Sequence, residues 1–388
     1  MKIRSIQAFA IRSDLTGGPA RTPERRPVWT RDAEVANPMS RHPRFKRLRA
    51  TWRPTWPSVG CLVTAEDGRW GFGMTRYGSP VIALINEHLG PLLVGEPCMA
   101  TERLWDMMQG ITSPYAGGLS CYAISAIDLA LWDLKGRILG EPVYSLMGGP
   151  VRDDIGCYAT GNDTDWYIEQ GFTATKLACP YGPVDGASGL HRNEAFVADR
   201  RALIGESVDL MLDCWMAFDV DYTVRLAQQL QPYRLAWIED CLMPDDLDGL
   251  KAVRERLPGH TLAGGEHWYT TAPFAHALSR RLLDLVQPDI GWACGLTGCI
   301  KIAALAQAFG QPIVLHAGMN TPYGQHFSLA TSNCPMGEYF VGSAPGVPFD
   351  EVRLTPGMAV PVGGRVRLSD EPGFGLGLTM KDIQAMCV

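Results

Sequence analysis

From about residue 155 onward the chain alternates short strand-like runs with helical segments, a rhythm that points to a parallel sheet covered on both faces. Strand-like runs fall at 155–159, 173–177, 208–212, 235–238, 261–263, 283–286, 312–315 and 337–340. Helical patterns fall between them, at 193–204, 220–230, 247–256, 297–308 and 323–332. Eight such runs favour an α/β architecture closed as a (β/α) barrel over an open sheet.

In a barrel of this kind, reactive groups gather where the strands end. The strand ends carry Tyr158, Lys176, Asp213, Glu239, Glu266 with His267, Asp289, His316 and Glu338. Any one of them alone reads more simply as a salt bridge or a solvated strand end. Their regular recurrence at one rim favours a site. Asp213, Glu239 and Glu266 are spaced by 26 and 27 residues, about one strand-plus-helix unit. Three carboxylates brought together repel, and a hard divalent cation is the simplest reason to gather them. All-oxygen ligation suits Mg²⁺.

Asp289 and His316 end neighbouring strands, 27 residues apart. A carboxylate on one imidazole nitrogen fixes the tautomer and makes the other nitrogen a stronger base. A metal beside a base suits abstraction of a proton next to a carboxylate, because a cation on the carboxylate oxygens stabilises the enediolate. Lys176 is placed to hold the same oxygens. On this reading His316, Asp289, Glu338 and Lys176 are the catalytic candidates, and Asp213, Glu239 and Glu266 are the metal ligands.

The first part of the chain has a different pattern. Residues 1–12 and 60–74 read as antiparallel strands, with a hairpin turn at Asp67-Gly68. Residues 80–140 are helical, the clearest stretch being 122–138, with Ile124, Ile127, Leu131 and Leu134 on one core-facing stripe. The expected division is an α+β capping domain at 1–120, the barrel at 121–345, and a segment at 346–388 that returns to the cap. Within the cap, residues 18–57 form a basic flap with ten Lys and Arg against Glu24, Asp32 and Glu34. It reads either as a solvated loop or as a lid whose cations attract an anionic substrate. A nucleic-acid-binding reading of 21–53 is disfavoured by the net charge of −6 and the sparse aromatics Trp29, Phe45 and Trp52. No apolar run approaches the ~18 residues of a membrane span. The eleven cysteines show no framework spacing and read as reduced thiols of a cytoplasmic protein.

The run Ala126-Ile127-Asp128-Leu129-Ala130-Leu131-Trp132-Asp133-Leu134-Lys135-Gly136, followed by Pro142 and Leu146-Met147-Gly148-Gly149, resembles the mandelate racemase branch of the enolase superfamily. The resemblance spans nearly the whole chain. Trp237-Ile238-Glu239-Asp240, Gly265-Glu266-His267 and Gln287-Pro288-Asp289 are similar to the acid-sugar dehydratases of that branch. It implies an enolase-type barrel with a capping domain, Mg²⁺ on Asp213, Glu239 and Glu266, and His316 as base with Asp289 behind it. It further implies Glu338 stabilising developing charge, with Arg49, His267 and Glu338 as substrate contacts. The implied partner is a small sugar acid such as L-rhamnonate, L-lyxonate or L-mannonate, handled by a homo-oligomer. Racemases of the branch carry Lys-x-Lys on the second barrel strand. Here Leu177 and Ala178 follow Lys176, which favours dehydration over racemisation. An epimerase or cycloisomerase of the same superfamily is the alternative.

Overall fold

The computed structural model describes residues 1–11, 21–46, 52, 54–352 and 354–388. Strands β1 (Ile3–Ile11), β2 (Ser58–Ala65) and β3 (Trp70–Thr75) form an antiparallel sheet in that order. The Asp67-Gly68 turn joins β2 to β3, and Gly68 takes the left-handed φ of +89° that favours glycine. Helix α1 (Leu119–Leu139) packs on this sheet. Its stripe of Ile124, Ile127, Leu131 and Leu134 is buried, and Gly140 caps it at a φ of +73°. The helix lies almost in contact with the β3 backbone. A Cβ on Gly73 would sit 2.1 Å from the Ala126 carbonyl, and one on Gly71 would sit 2.2 Å from that of Ala130.

Two buried carboxylates on α1 act as staples. Asp133 accepts from the Phe72 and Phe374 amides, both at 3.0 Å, and pairs with Arg137. Asp128 accepts from the amide and hydroxyl of Thr297 at 2.9 and 2.6 Å. Thr297 lies in helix α2 (Gly295–Ala308), so α1 joins the antiparallel sheet to the barrel.

The barrel strands are β4 (Ile155–Thr160), β5 (Ala174–Ala178), β6 (Asp209–Asp213), β7 (Ile238–Glu239), β8 (Leu262–Gly264), β9 (Leu285–Val286) and β10 (Gly337–Phe340). They pair in parallel, and β10 returns to pair with β4. The expected strand at 312–315 makes one bridge, Ile313 to Val286. Tyr158, Ala174, Met211, Trp237, Ala263, Leu285 and Val314, one from each successive strand position, pack as an apolar plug inside the ring. Polar side chains further along the strands therefore stand above a closed floor.

The expected helices at 220–230 and 247–256 form over those residues. The helix expected at 193–204 begins seven residues earlier, at Gly186. Gly186 and Gly189 mask its start, and Gly189 is demanded by packing, since its Cβ would lie 3.0 Å from the Tyr222 hydroxyl. Helices at Thr164–Glu169 and Thr271–Ser279 have no counterpart in the sequence pattern. One is a short turn, and the other carries an internal proline, Pro273.

Residues 21–46 of the basic flap lie against the barrel loops. Arg26 pairs with Asp163 at 3.0 Å and Asp165 at 2.6 Å, Arg25 with Glu169 at 2.5 Å, and Lys46 with Asp185. The Ala36 amide donates to the Cys179 carbonyl at 2.8 Å. These flap cations answer acids of the protein itself, and none of them lines the cavity described below. At the other end of the chain, Cys387 bridges to Ile11 and the Val388 amide donates to the Ala10 carbonyl at 3.1 Å.

Candidate active site

A cavity of about 610 Å³ opens at the C-terminal ends of the barrel strands. Asp213, Glu266, Asp289, His316 and Glu338 line it from the barrel, and Ser58, Met74, Thr75 and Arg76 from the antiparallel sheet. The parallel register places Asp213 beside Glu239, and Glu239 beside Ala263, three residues before Glu266. Several chain reversals directly after reactive residues take left-handed backbone conformations: Trp215 and Met216 after Asp213, Asp240 after Glu239, and Ala317 after His316. Such conformations cost about 1–3 kcal/mol each in non-glycine residues and hold only where the surroundings fix them.

The imidazole of His316 is held at both nitrogens. Nδ1 lies 2.8 Å from Asp289 Oδ2, and Nε2 lies 3.1 Å from Glu266 Oε2. Asp289 is itself fixed, since its Oδ1 accepts the Gly291 amide at 2.7 Å. Burial disfavours a charged imidazole, but Glu266, Asp289 and Glu338 outweigh it and lift His316 to about 9. The Trp292 ring packs against this imidazole, centroid to centroid 4.9 Å.

Glu338 accepts the Ala317 amide at 2.8 Å and the Thr160 hydroxyl at 2.6 Å. Burial works against its charge, but Lys176 and His316 overcome it, and Glu338 is held below the usual carboxylate range, at about 2. Lys176 is almost wholly buried. Its ammonium lies 2.9 Å from Glu338 Oε1, contacts Glu239 Oε1, and sits over the Tyr158 ring. It does not line the cavity, so its contacts are with carboxylates of the protein. Burial disfavours the ammonium, yet these carboxylates keep it charged.

Glu239 lies beneath the cavity wall, where Oε2 accepts from Trp237 Nε1 at 2.9 Å and Gln287 Nε2 at 2.7 Å. Burial raises both Glu239 and Glu266 from their ordinary values, and the nearby Asp213 carboxylate adds to the rise of each. Glu266 Oε1 is buried and makes no hydrogen bond, although His267 Nδ1 lies 3.2 Å away. Buried carboxylates that resist ionisation, one with an orphaned oxygen, are what a hard cation would relieve. Asp213, Glu239 and Glu266 therefore fit a divalent ion with oxygen ligands. A tighter grouping also exists, in which ligand atoms of Asp240, Glu266 and His267 lie within 4.8 Å of one another. It includes an imidazole, and Asp240 is already engaged with the Gly265 amide at 3.2 Å, so it suits a hard ion less well.

The His267 ring lies tilted against Trp292, 5.6 Å between centroids, with Nδ1 turned to Glu266 and, at 3.5 Å, to Asp240 Oδ2. Arg49 lies outside the described residues. Sequence reasoning missed Arg76, Trp292, Thr160 and the brace from the Thr75 hydroxyl to the Gly291 carbonyl at 2.7 Å. Thr160 closes β4 but carries no charge, and the others lie off the barrel strand ends. Only the hairpin that ends in Met74-Thr75 gave a signal, and it gave no reason to place that hairpin over the barrel mouth.

Fold and site together define an enolase-type barrel enzyme with a capping domain. The chain belongs to the mandelate racemase / muconate lactonizing enzyme family: residues 37–148 match that family's N-terminal domain, and residues 163–382 match the enolase C-terminal domain-like family. It is 39% identical over 387 residues to the L-rhamnonate dehydratase of Saccharopolyspora erythraea, covering 97% of each chain. The crystal structure of rhamnonate dehydratase from Gibberella zeae complexed with Mg superposes with a TM-score of 0.91 at 33% identity, over 100% of this chain and 96% of that one. The 3,6-anhydro-D-galactonate cycloisomerase of Zobellia galactanivorans superposes with a TM-score of 0.76 at 26% identity, over 100% of both chains.

Proposed function

We propose that the protein is a Mg²⁺-dependent hydro-lyase that converts a sugar acid, L-rhamnonate or a close relative, to its 2-keto-3-deoxy acid. The observation that carries this reading is the Asp289–His316 contact at 2.8 Å, which leaves Nε2, 3.1 Å from Glu266 Oε2, as the nitrogen on the side of the candidate metal ligands. Asp213, Glu239 and Glu266 would hold the ion. When bound, Mg²⁺ supplies the positive charge that makes the proton beside a carboxylate acidic enough to remove.

The protein's own groups do the rest. A cation on Glu266 would cancel the largest charge that holds His316 protonated. In its neutral form His316 takes the C2 proton at Nε2 as the C2–H bond breaks, and Asp289 stabilises the imidazolium that results. Glu338, kept anionic by Lys176, faces the same space. The C3–O bond then breaks. The departing hydroxide takes a proton from His316 or from His267 and leaves as water. The enol left behind gains a proton at C3, loses the proton of its C2 hydroxyl and becomes the ketone. Ala178, where racemases of the branch carry a second lysine, provides no acid or base for the opposite face. Lys176 acts through Glu239 and Glu338, as a positioning residue.

Incubation with Mg²⁺ and a panel of five- and six-carbon sugar acids, read as 2-keto acid formed, tests the assignment. His316→Asn abolishes product and stops exchange of the C2 hydrogen with deuterated water. Exchange at C2 without loss of water would instead mark an epimerase. The reading carries with it a homo-oligomeric cytoplasmic enzyme, supported by family resemblance and tested by light scattering. Among the described residues no helix is long and apolar enough to cross a membrane.

A further inference from the structure

The cavity is acidic at its floor, and among its described lining residues Arg76 is the only lysine or arginine. Arg76 follows β3, on the antiparallel sheet, and faces the barrel groups from across the mouth. Its backbone is held from both sides. Thr75 is fastened to Gly291, which in turn binds Asp289, and Tyr77 packs edge-on against Tyr122 at 4.8 Å. The guanidinium carbon lies 5.8 Å from the centroid of Trp292, the ring whose own centroid is 4.9 Å from that of His316. No described carboxylate pairs with Arg76, whereas Arg25, Arg26, Arg31 and Lys46 on the flap all have acid partners.

An indole therefore separates Arg76 from the catalytic imidazole. That is too far to touch the reacting carbons and well placed for the other end of an extended sugar acid. An unneutralised guanidinium at that place matches a carboxylate bidentately and gains little from a methyl group. We propose that Arg76 reads the end of the substrate distal to the reacting carboxylate and favours an acid sugar with a second carboxylate there. The inference rests on the sugar-acid reading of the cavity and, within it, ranks acids with a second carboxylate above monocarboxylates such as L-rhamnonate.

L-Mannonate and L-mannarate share their configuration from C2 to C5 and differ only at C6, hydroxymethyl against carboxylate. Binding of each is measured by titration calorimetry with Mg²⁺, in the His316→Asn background so that neither is consumed. L-Mannarate binds about tenfold more tightly than L-mannonate, a difference typical of one charge-assisted pair. Adding Arg76→Gln removes that preference and leaves L-mannonate affinity within about twofold, while Arg76→Lys keeps part of it. Unchanged melting temperatures show that the variants fold. The proposal is overturned if no preference exists, if it survives Arg76→Gln, if both ligands weaken equally, or if neither binds. Turnover of any sugar acid by the wild-type enzyme would still uphold the dehydratase reading in each of those cases.

Discussion

The ammonium of Lys176 lies 2.9 Å from Glu338 Oε1 and also contacts Glu239, so one buried cation spans two sides of the barrel mouth. All three side chains are almost fully enclosed. Removing one member of a buried ion cluster leaves the rest uncompensated, which costs about 3–5 kcal/mol. Lys176→Met is expected to lose stability on that scale in urea denaturation. Lys176→Met combined with Glu338→Gln should recover part of the loss. If the double variant is no more stable than the single, the two groups are not coupled.

The Asp289–His316 contact predicts a graded loss of activity. Asp289→Asn keeps a hydrogen-bonding group but removes the charge that stabilises the imidazolium. General-base contributions of about 10²–10⁴-fold set the scale. We expect kcat to fall within that range in Asp289→Asn and KM to change little, with the deuterium exchange rate at C2 falling in parallel. A fall in KM affinity with unchanged kcat would place Asp289 in binding instead.

Removal of divalent cation should be visible in stability as well as in activity. A ligand that binds only the folded state at 100 times its Kd stabilises by about 2.7 kcal/mol. Mg²⁺ at saturation is expected to raise the melting temperature over an EDTA-treated sample. Glu266→Gln should erase that rise, because Glu266 supplies the orphaned buried oxygen. A rise that persists in Glu266→Gln would put the ion elsewhere.

His326 gives a prediction on pH that is independent of the active site. It is buried, its Nδ1 accepts the Tyr144 amide at 3.2 Å, and burial lowers it to about 3 from an ordinary 6.5. The folded state therefore binds this proton more weakly than the unfolded chain. Its contribution is fully favourable above pH 6.5 and is lost as pH falls toward 3, at about 1.4 kcal/mol per pH unit. Asn can accept the same amide and does not titrate. His326→Asn is expected to be less stable than wild type at pH 7, with the gap closing at pH 4.5. Denaturation curves at the two pH values decide it; a constant gap refutes the assignment.

The barrel was legible because period and strand-end chemistry agree along residues 155–340. Asp213, Glu239, Glu266, Asp289, His316 and Glu338 could all be picked out because charge at the end of an apolar run is rare without a purpose. The contacts of Lys176 with Glu239 and Glu338 were not legible, because strand alternation cannot say whether a long side chain reaches the cavity or a neighbouring acid. Arg76 and Trp292 were invisible for a related reason. They meet only when two separate parts of the chain are packed together, and no local pattern encodes that meeting. The start of the helix was hidden by two glycines, Gly186 at a left-handed φ of +56° and Gly189 packed against Asp185 and Tyr222.

The salt links from Arg26 to Asp163 and Asp165, and from Lys46 to Asp185, tie residues 21–46 to the segments that follow β4 and β5. Transplanting that flap from a relative would bring in cations whose anchors stay behind. Redesign of this enzyme therefore has to exchange the flap and those segments as one piece.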